Sequence, residues 1–463
     1  LQLAVGSNAQ QLISTFQQPI ANKMKASISA NNRLKQFAPQ IERIGGGAKI
    51  WIGFLILLIL FGGVGLYQQI TKGHIVTGMR DNVVWGLFIA NFIFFIGISY
   101  AGAILSGMLY LFDIKWRRPI VRISVLLSIV AGVIGPVFII LCIGRFDRIH
   151  HLLLYPRLQS PITWDVLAIS TYLVGAVIYL YLTVIRDFAI YSDASYLNIP
   201  TWKRNLYKKL SLGYTGTEQQ KKTLKSMTRL LAIIMVPMVV IISSVLSWIF
   251  GMTLRPGWHS SIFGPYFVVA SILTGVGVII MCMWVFRKRY KLQDYITDMH
   301  FKYMGFMMLV LAAGYGYFSF SEYLTGWYGS EKWDSEVLGK LFDPHEYGWW
   351  FLFVNIFGII LPIITVAIKK LRTPGMITFA ATLMVFAMWI RRYLIVVPTL
   401  ETPLLPVQDT RMEYVHYVAT WQEWSLTIGG VATLLLFFII MSKFITIVPV
   451  SDYIDDEKTD NNG

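Results

Sequence analysis

A chain of 463 residues with 56% hydrophobic and only 14% charged residues carries little more than half the roughly 25% of charged residues found in a soluble domain. Together with a mean hydropathy of +0.58, this excludes a soluble globule, a disordered chain, collagen and a coiled coil, and it points to an all-α polytopic membrane protein. The net charge of +15 raises the question of nucleic acid, which the placement of the charges answers in the negative.

In chain order, residues 1–48 form a polar, moderately basic segment. Leu12, Ile13, Phe16, Ile20 and Met24 stand at roughly helical spacing there, as in an interfacial or partner-contacting helix, a flexible tail being the alternative. The segment lacks the apolar core and small-residue cleavage site of a secretory signal. Ten apolar runs follow, near 51–68, 84–112, 121–144, 163–185, 230–250, 261–286, 301–321, 348–368, 375–398 and 424–446. Their length and unbroken apolarity suit helices, because barrel strands alternate over about ten residues. Residues 49–448 are thus expected to be a ten-helix membrane domain, and 449–463 an acidic tail.

Lysine and arginine alternate between the two sides of these spans. The N-terminal segment and even-numbered loops hold 25, the odd-numbered loops 9. By the positive-inside rule both termini are cytoplasmic, in a bacterial or archaeal cytoplasmic membrane. The excess charge therefore reports topology beside anionic lipid, and no nucleic-acid partner is expected. The acidic, aromatic loops on the other side, Glu322 to Glu346 and Pro398 to Glu423, suit either partner docking or simple surface caps.

Ionisable groups in or near spans are costly and each needs a reason. Arg145, Asp147, Arg148, His150, His151 and Arg157 precede the fourth span, and Asp165 opens it. Asp165 is either a carboxylate favoured by the helix dipole or a proton-taking group at a pocket mouth. Asp187, beside Arg186 at the inner end of that span, reads as a structural ion pair. His259 lies in a Pro-Gly turn between the fifth and sixth spans, where a structural hydrogen bond is the first expectation. Glu322 ends the seventh span. Arg391 and Arg392 neighbour each other in the ninth, about 100° apart on the helix, so one is expected to snorkel and the other to face the bundle. Asn91 and Asn355 are expected to make helix–helix hydrogen bonds. Arg145, Asp165, His259, Glu322 and Arg392 all fall at outer span ends, which suggests one polar pocket open to the outer leaflet.

Two cysteines, Cys142 and Cys282, cannot ligate a cluster that needs about four thiolates. The seven histidines occur in no haem-attachment or zinc-protease context. No metal, haem or cluster is expected to be bound by this chain, and any metal centres belong to partners.

Several segments together resemble the NrfD/PsrC family of quinone-interacting membrane subunits, in its ten-helix branch that includes the ActC and ActF subunits of alternative complex III. They are Trp85-Gly86, Lys115-Trp116-Arg117-Arg118, Ser160-Pro161 through Trp164-Asp165, Pro256-Gly257-Trp258-His259-Ser260-Ser261-Ile262-Phe263 with Gly264-Pro265-Tyr266-Phe267, Glu322-Tyr323 with Gly326-Trp327-Tyr328, and Met388-Trp389 through Arg392-Tyr393. The resemblance implies two four-helix bundles plus two extra helices. It also implies menaquinone or ubiquinone bound near the outer face, and exchange of electrons with an iron–sulfur protein, with a multihaem cytochrome c and a paralogous membrane chain as further partners. Asp165 would be the catalytic carboxylate, with Arg145, Arg392, His150 and His151 around the quinone. Glu322, His259, Tyr100 and Asp187 would be proton-path or structural residues.

Departures from the family pattern tilt the likeness towards ActF. Cys142-Ile143-Gly144-Arg145 stands where a His-x-Gly-Arg segment is usual, Ser99-Tyr100-Ala101-Gly102 replaces Gly-His-Ala-Gly, Ser243 and Ile249 replace a histidine and an aspartate, and Arg391-Arg392 replaces Glu-Arg. The alternatives are a scaffold or proton-conducting relative with a degenerate quinone site, and a secondary transporter. The transporter would favour broken helices in repeated halves. Pro136, Pro237 and Pro362 lie inside spans, but no repeat is evident.

Overall fold

The computed structural model describes residues 41, 45–112, 114–194, 197–403 and 415–451. The expected N-terminal helix, the acidic tail from residue 452 and residues 404–414 of the Pro398–Glu423 loop lie outside them. Ten helices are long and apolar enough to cross a membrane: α1 Gly46–Lys72, α2 Leu87–Leu111, α3 Arg118–Ile143, α4 Pro161–Asp193, α5 Glu218–Gly251, α6 Phe263–Arg289, α7 Asp298–Gly329, α8 Gly348–Ala367, α9 Pro374–Leu400 and α10 Trp421–Phe444. The described residues contain no strand. The chain is an all-α, multi-pass membrane protein.

Two compact units divide the chain. The larger, Gly45–Leu182 with Lys225–Ile440, contains two four-helix groups. In the first, α2 and α3 approach closely at Gly102, where a Cβ would collide with the Ser124 carbonyl. Small residues permit such contact, and interhelical hydrogen bonds then hold it. Ser128 Oγ donates to the Ser99 carbonyl at 2.8 Å, and Tyr172 of α4 donates to the same oxygen at 2.8 Å. A Cβ on Gly107 of α2 would press on Val236 of α5, and one on Gly175 of α4 would lie 3.2 Å from Met235 of α5. In the second group, the Tyr266 and Tyr315 hydroxyls join α6 to α7 at 2.7 Å. Gly277 packs on Met384, Gly316 on Ile359 and Gly358 on Met388, so that α6, α7, α8 and α9 enclose one another.

The groups abut where Gly275 of α6 meets Ala101 of α2. Helices α1 and α10 are the extra pair, in backbone contact at Gly62 and Gly429. Asn91 of α2 donates to Thr427 of α10 at 2.8 Å and accepts from the Trp389 indole of α9 at 2.8 Å. The other intramembrane asparagine departs from expectation: Asn355 donates to Phe351, four residues back in its own helix, at 2.9 Å. It sits directly before a π-helical stretch, Ile356–Ile360, where the backbone ladder is locally widened.

Even-numbered helices begin, and odd-numbered ones end, at one face, termed distal. Glu423, fully buried at the start of α10, ties this face together. It accepts from the Gly78 N–H at 2.8 Å, the Tyr417 hydroxyl at 2.6 Å and the Thr420 N–H at 2.9 Å.

The smaller unit comprises Leu1–Ile44, Thr183–Leu224 and Met441–Gly463. Its helix Thr201–Leu210 turns Lys203 onto the carbonyl oxygens of Ile41 and Lys443. Burial lowers the Lys203 ammonium pKa to about 8. Asp187 belongs here, buried and accepting from Thr446 Oγ1 at 3.2 Å, Val450 N–H at 3.3 Å and Ser451 N–H at 3.2 Å. These bonds anchor the segment after α10.

Candidate functional site

At the distal end of the first bundle lies a cavity of about 620 Å³. Trp85 just before α2 and Ile89 and Phe92 in its first turns line it, with Ile139 and Cys142 from the end of α3 and Leu246, Ile249 and Phe250 from the end of α5. The connection from α3 to α4 closes it with Arg148, His151, Tyr155 and Arg157. Its wall is mainly apolar, and Asp165 is the carboxylate in it.

Asp165 is there because α4 begins at Pro161, whose missing N–H costs nothing in the first turn. The Ser160 carbonyl accepts from Thr163 N–H at 3.1 Å, and the Trp164 indole donates to the Leu158 carbonyl at 2.7 Å. Trp164 thereby stays on the outward side while Asp165, one residue on, turns inward. The carboxyl group is only 3% exposed, and its Oδ1 has no hydrogen-bond partner. A buried oxygen in that condition costs about 1–3 kcal/mol, and a ligand able to donate a hydrogen bond would recover it.

Below Asp165 the bundle interior is lined with hydroxyl groups. On α4, Asp165, Tyr172 and Tyr179 recur every seventh residue, two helical turns apart and on one face. Tyr100 of α2 lies edge-on to Tyr172, ring centroids 5.4 Å apart, within electrostatic reach of Asp165. The Tyr172 hydroxyl meets Ser99 Oγ at 2.9 Å. The hydroxyl of Tyr100 is buried without a hydrogen-bond partner.

A second cavity, of about 370 Å³, opens at the distal end of the second bundle. His259, Ser260, Glu322, Asp334 and Arg391 face it. Here the polar groups are engaged. Arg391 Nη2 donates to the Tyr266 hydroxyl at 2.8 Å and its guanidinium lies 5.0 Å from the Tyr323 ring centre. Ser260 Oγ donates to Glu322 Oε2 at 2.6 Å.

The expected single pocket is therefore two. Asp165 and His151 share the first cavity; His259 and Glu322 share the second. Arg145 lies in neither, being exposed and paired with Asp147 by Nη2–Oδ2 and Nε–Oδ1 contacts of 3.1 Å. This pairing holds the Asp147 carboxyl below its usual range. His150 is exposed and packs on the His151 ring, centroids 4.4 Å apart. Arg392 is 1% exposed, stands over the Phe267 ring at 5.1 Å, and has an Nη1 without a partner. Neither Arg145 nor Arg392 lines the Asp165 cavity, so the expected guanidinium partners of that acid are replaced at the wall by Arg148 and Arg157. Nor does either neighbouring arginine of α9 snorkel, since Arg391 is only 5% exposed. Sequence reasoning did not place Trp85 and Phe250 at the site; Trp85 stacks on the Trp258 ring and Phe250 meets it edge-on. Their signal was aromatic residues at two span ends that share a side.

A profile of the family described as "Polysulphide reductase, NrfD" matches residues 75–403. The chain is 29% identical over 244 residues to a putative membrane subunit of dimethyl sulfoxide reductase from Halobacterium salinarum, a match covering 52% of this chain and 53% of that one. This alignment therefore spans about half of that relative's length. Over longer stretches it is 22% identical to a selenate reductase subunit of Mesobacillus selenatarsenatis, covering 87% and 94% of the two chains. It is 23% identical to an Hdr-like menaquinol oxidoreductase integral membrane subunit of Archaeoglobus fulgidus, covering 89% and 97%.

Proposed function

The chain belongs to the polysulphide reductase NrfD family, and from that premise we propose that it is the quinone-binding membrane subunit of a respiratory oxidoreductase complex. It sits in a bacterial or archaeal cytoplasmic membrane with both termini inside, as the distribution of lysine and arginine favours. The distal face is then the outer face.

One observation carries this reading: a largely apolar cavity of about 620 Å³ with a single carboxylate whose Oδ1 is buried and unpartnered. The volume falls within the roughly 300–1,000 Å³ of small-molecule pockets. Trp85, Phe92 and Phe250 line it with aromatic side chains against which a flat guest can pack, and Asp165 offers an acceptor for one hydroxyl. A bound quinone supplies two-electron, two-proton chemistry. This chain's part is to orient the ring, exclude water with the apolar wall, and hold or release a proton at Asp165. Arg148, His151 and Arg157 give the mouth its polar edge. Menaquinone is favoured over ubiquinone by the name of the archaeal relative. Electrons pass to or from an iron–sulfur or haem protein seated on the outer face, beside other membrane subunits.

A second reading has support in Ser99 and Tyr100, which stand where the resembling proteins carry glycine and histidine. In that reading the buried hydroxyl row conducts protons or serves the scaffold, and the cavity takes no quinone.

Asp165→Asn separates the two. If the carboxylate handles the quinol proton, quinol-driven electron transfer falls at least about a hundredfold, within the usual yield of a positioned acid or base, while the complex still assembles. Unchanged turnover in an assembled complex rejects the role.

A further inference from the structure

Two segments remote in sequence meet at the distal end of the second bundle. The Gly257 N–H, in the turn between α5 and α6, donates to Asp334 Oδ1 at 2.7 Å across 77 positions of chain. Gly257 has φ +74°, a left-handed conformation that suits glycine, so the turn can present this N–H to the helix Lys332–Phe342. The tie assembles His259, Glu331 and Asp334, one potential ligand atom from each lying within 4.8 Å of the others. Ligands bound at about 2.0–2.6 Å to one ion stand at most about 4–5 Å apart. These three need little or no backbone movement to share an ion.

Two further observations point to a ligand. The first is the orientation of the imidazole. His259 Nδ1 lies 3.1 Å from the Arg255 carbonyl oxygen. A carbonyl only accepts, so Nδ1 carries the proton and Nε2 keeps a free lone pair. Histidine ligands are commonly oriented by this kind of outer hydrogen bond. The second is charge. Glu322, Glu331 and Asp334 line the cavity together with Arg391 as the guanidinium, and Glu322 lies within electrostatic reach of Asp334 and His259. Three carboxylates outnumber one buried cation, and a divalent ion at the mouth would offset the excess.

We propose that His259, Glu331 and Asp334 bind one divalent ion of the zinc class at the distal face of the second bundle. An imidazole with two carboxylates suits zinc better than calcium, which takes six to eight oxygen ligands. Asp334 would ligate through Oδ2, its other oxygen being engaged by Gly257. The ion clips the α5–α6 turn to the helix Lys332–Phe342 and stiffens the rim of the second cavity. Nothing in this proposal depends on quinone binding in the first bundle.

The test is a zinc titration by calorimetry on the purified full chain in its complex, stripped of metal by a chelator, with cobalt(II) absorption as a second readout. Wild type should bind one saturating equivalent, with a rise in thermal midpoint. His259→Ala and Asp334→Asn should each weaken binding at least tenfold, while His345→Ala, an exposed histidine outside the cluster, should leave it unchanged. His259→Ala removes an exposed side chain and spares the Gly257–Asp334 tie, so its folding is not at issue. No saturable binding by wild type, or wild-type affinity in both cluster variants, overturns the proposal.

Discussion

The two distal cavities place ionisable groups at the same face and treat them in opposite ways. In the second, Arg391 is hydrogen-bonded to Tyr266 and Glu322 to Ser260, so the polar side chains are largely mutually engaged. In the first, Asp165 stands in an apolar wall with one oxygen unsatisfied. Burial without compensation is destabilising and persists where function requires it. The contrast teaches that a count of charges at span ends locates neither the reactive group nor the structural one. The decisive property is whether the neighbouring helices meet the hydrogen-bonding needs of the group.

The widest effect expected from this contrast is a split between activity and stability. Asp165→Asn should abolish most quinol-driven turnover without lowering the thermal midpoint, because Oδ1 makes no hydrogen bond that the substitution could break. Arg391→Leu should do the reverse. It should lower unfolding stability by about 3 kcal/mol, read as a fall in thermal midpoint in detergent, with turnover per assembled complex kept. If both variants lose activity alike and stability alike, the two cavities do not differ as described.

A smaller loss is expected at Glu423. Its two oxygens accept from N–H and O–H donors only. In Glu423→Gln the new amide faces donors and costs about 2 kcal/mol, visible as a lower midpoint with an unchanged cavity. The smallest effect is one of pH. Burial pushes the Glu401 carboxyl above its usual 4.5, against the hydrogen bonds from Tyr417 and Tyr347 that favour its charged form. The folded state thus binds this proton more tightly than the unfolded one, and stability from this group falls as pH rises from 4.5 through the raised value. Melting curves across that range should show the slope, and Glu401→Gln should flatten it.

Much of the fold was legible in the sequence because lipid demands long apolar helices. The ten runs match α1 to α10 in order, and the observed helices extend past the apolar cores, as at the charged start of α5, Glu218 to Arg229. The backbone ladder continues beyond the greasy stretch wherever the next residues tolerate helix. The resemblance also implied the pairing into two four-helix groups with two extra helices, and the close contacts at Gly102, Gly277 and Gly62 realise it. The site was less legible. Asp165 stood out because a carboxylate near a span end is rare. Arg145 and Arg392 stood out for the same reason, yet one is a solvent-exposed partner of Asp147 and the other belongs to the second bundle. Sequence reports the depth of a residue along its helix, while the bundle it faces depends on packing between segments far apart in the chain. The same holds for His259 and Asp334, whose proximity rests on a tie across 77 positions.

The most direct measurement is photo-crosslinking of a reactive quinone analogue to the intact complex, with the labelled peptides identified by mass spectrometry. Label on the segments around Trp85, Cys142, Asp165 or Phe250, reduced in competition with unmodified quinone, is the outcome this account requires. Label confined to the cavity around Tyr266 and Glu322, or absent from this chain in an active complex, would contradict it.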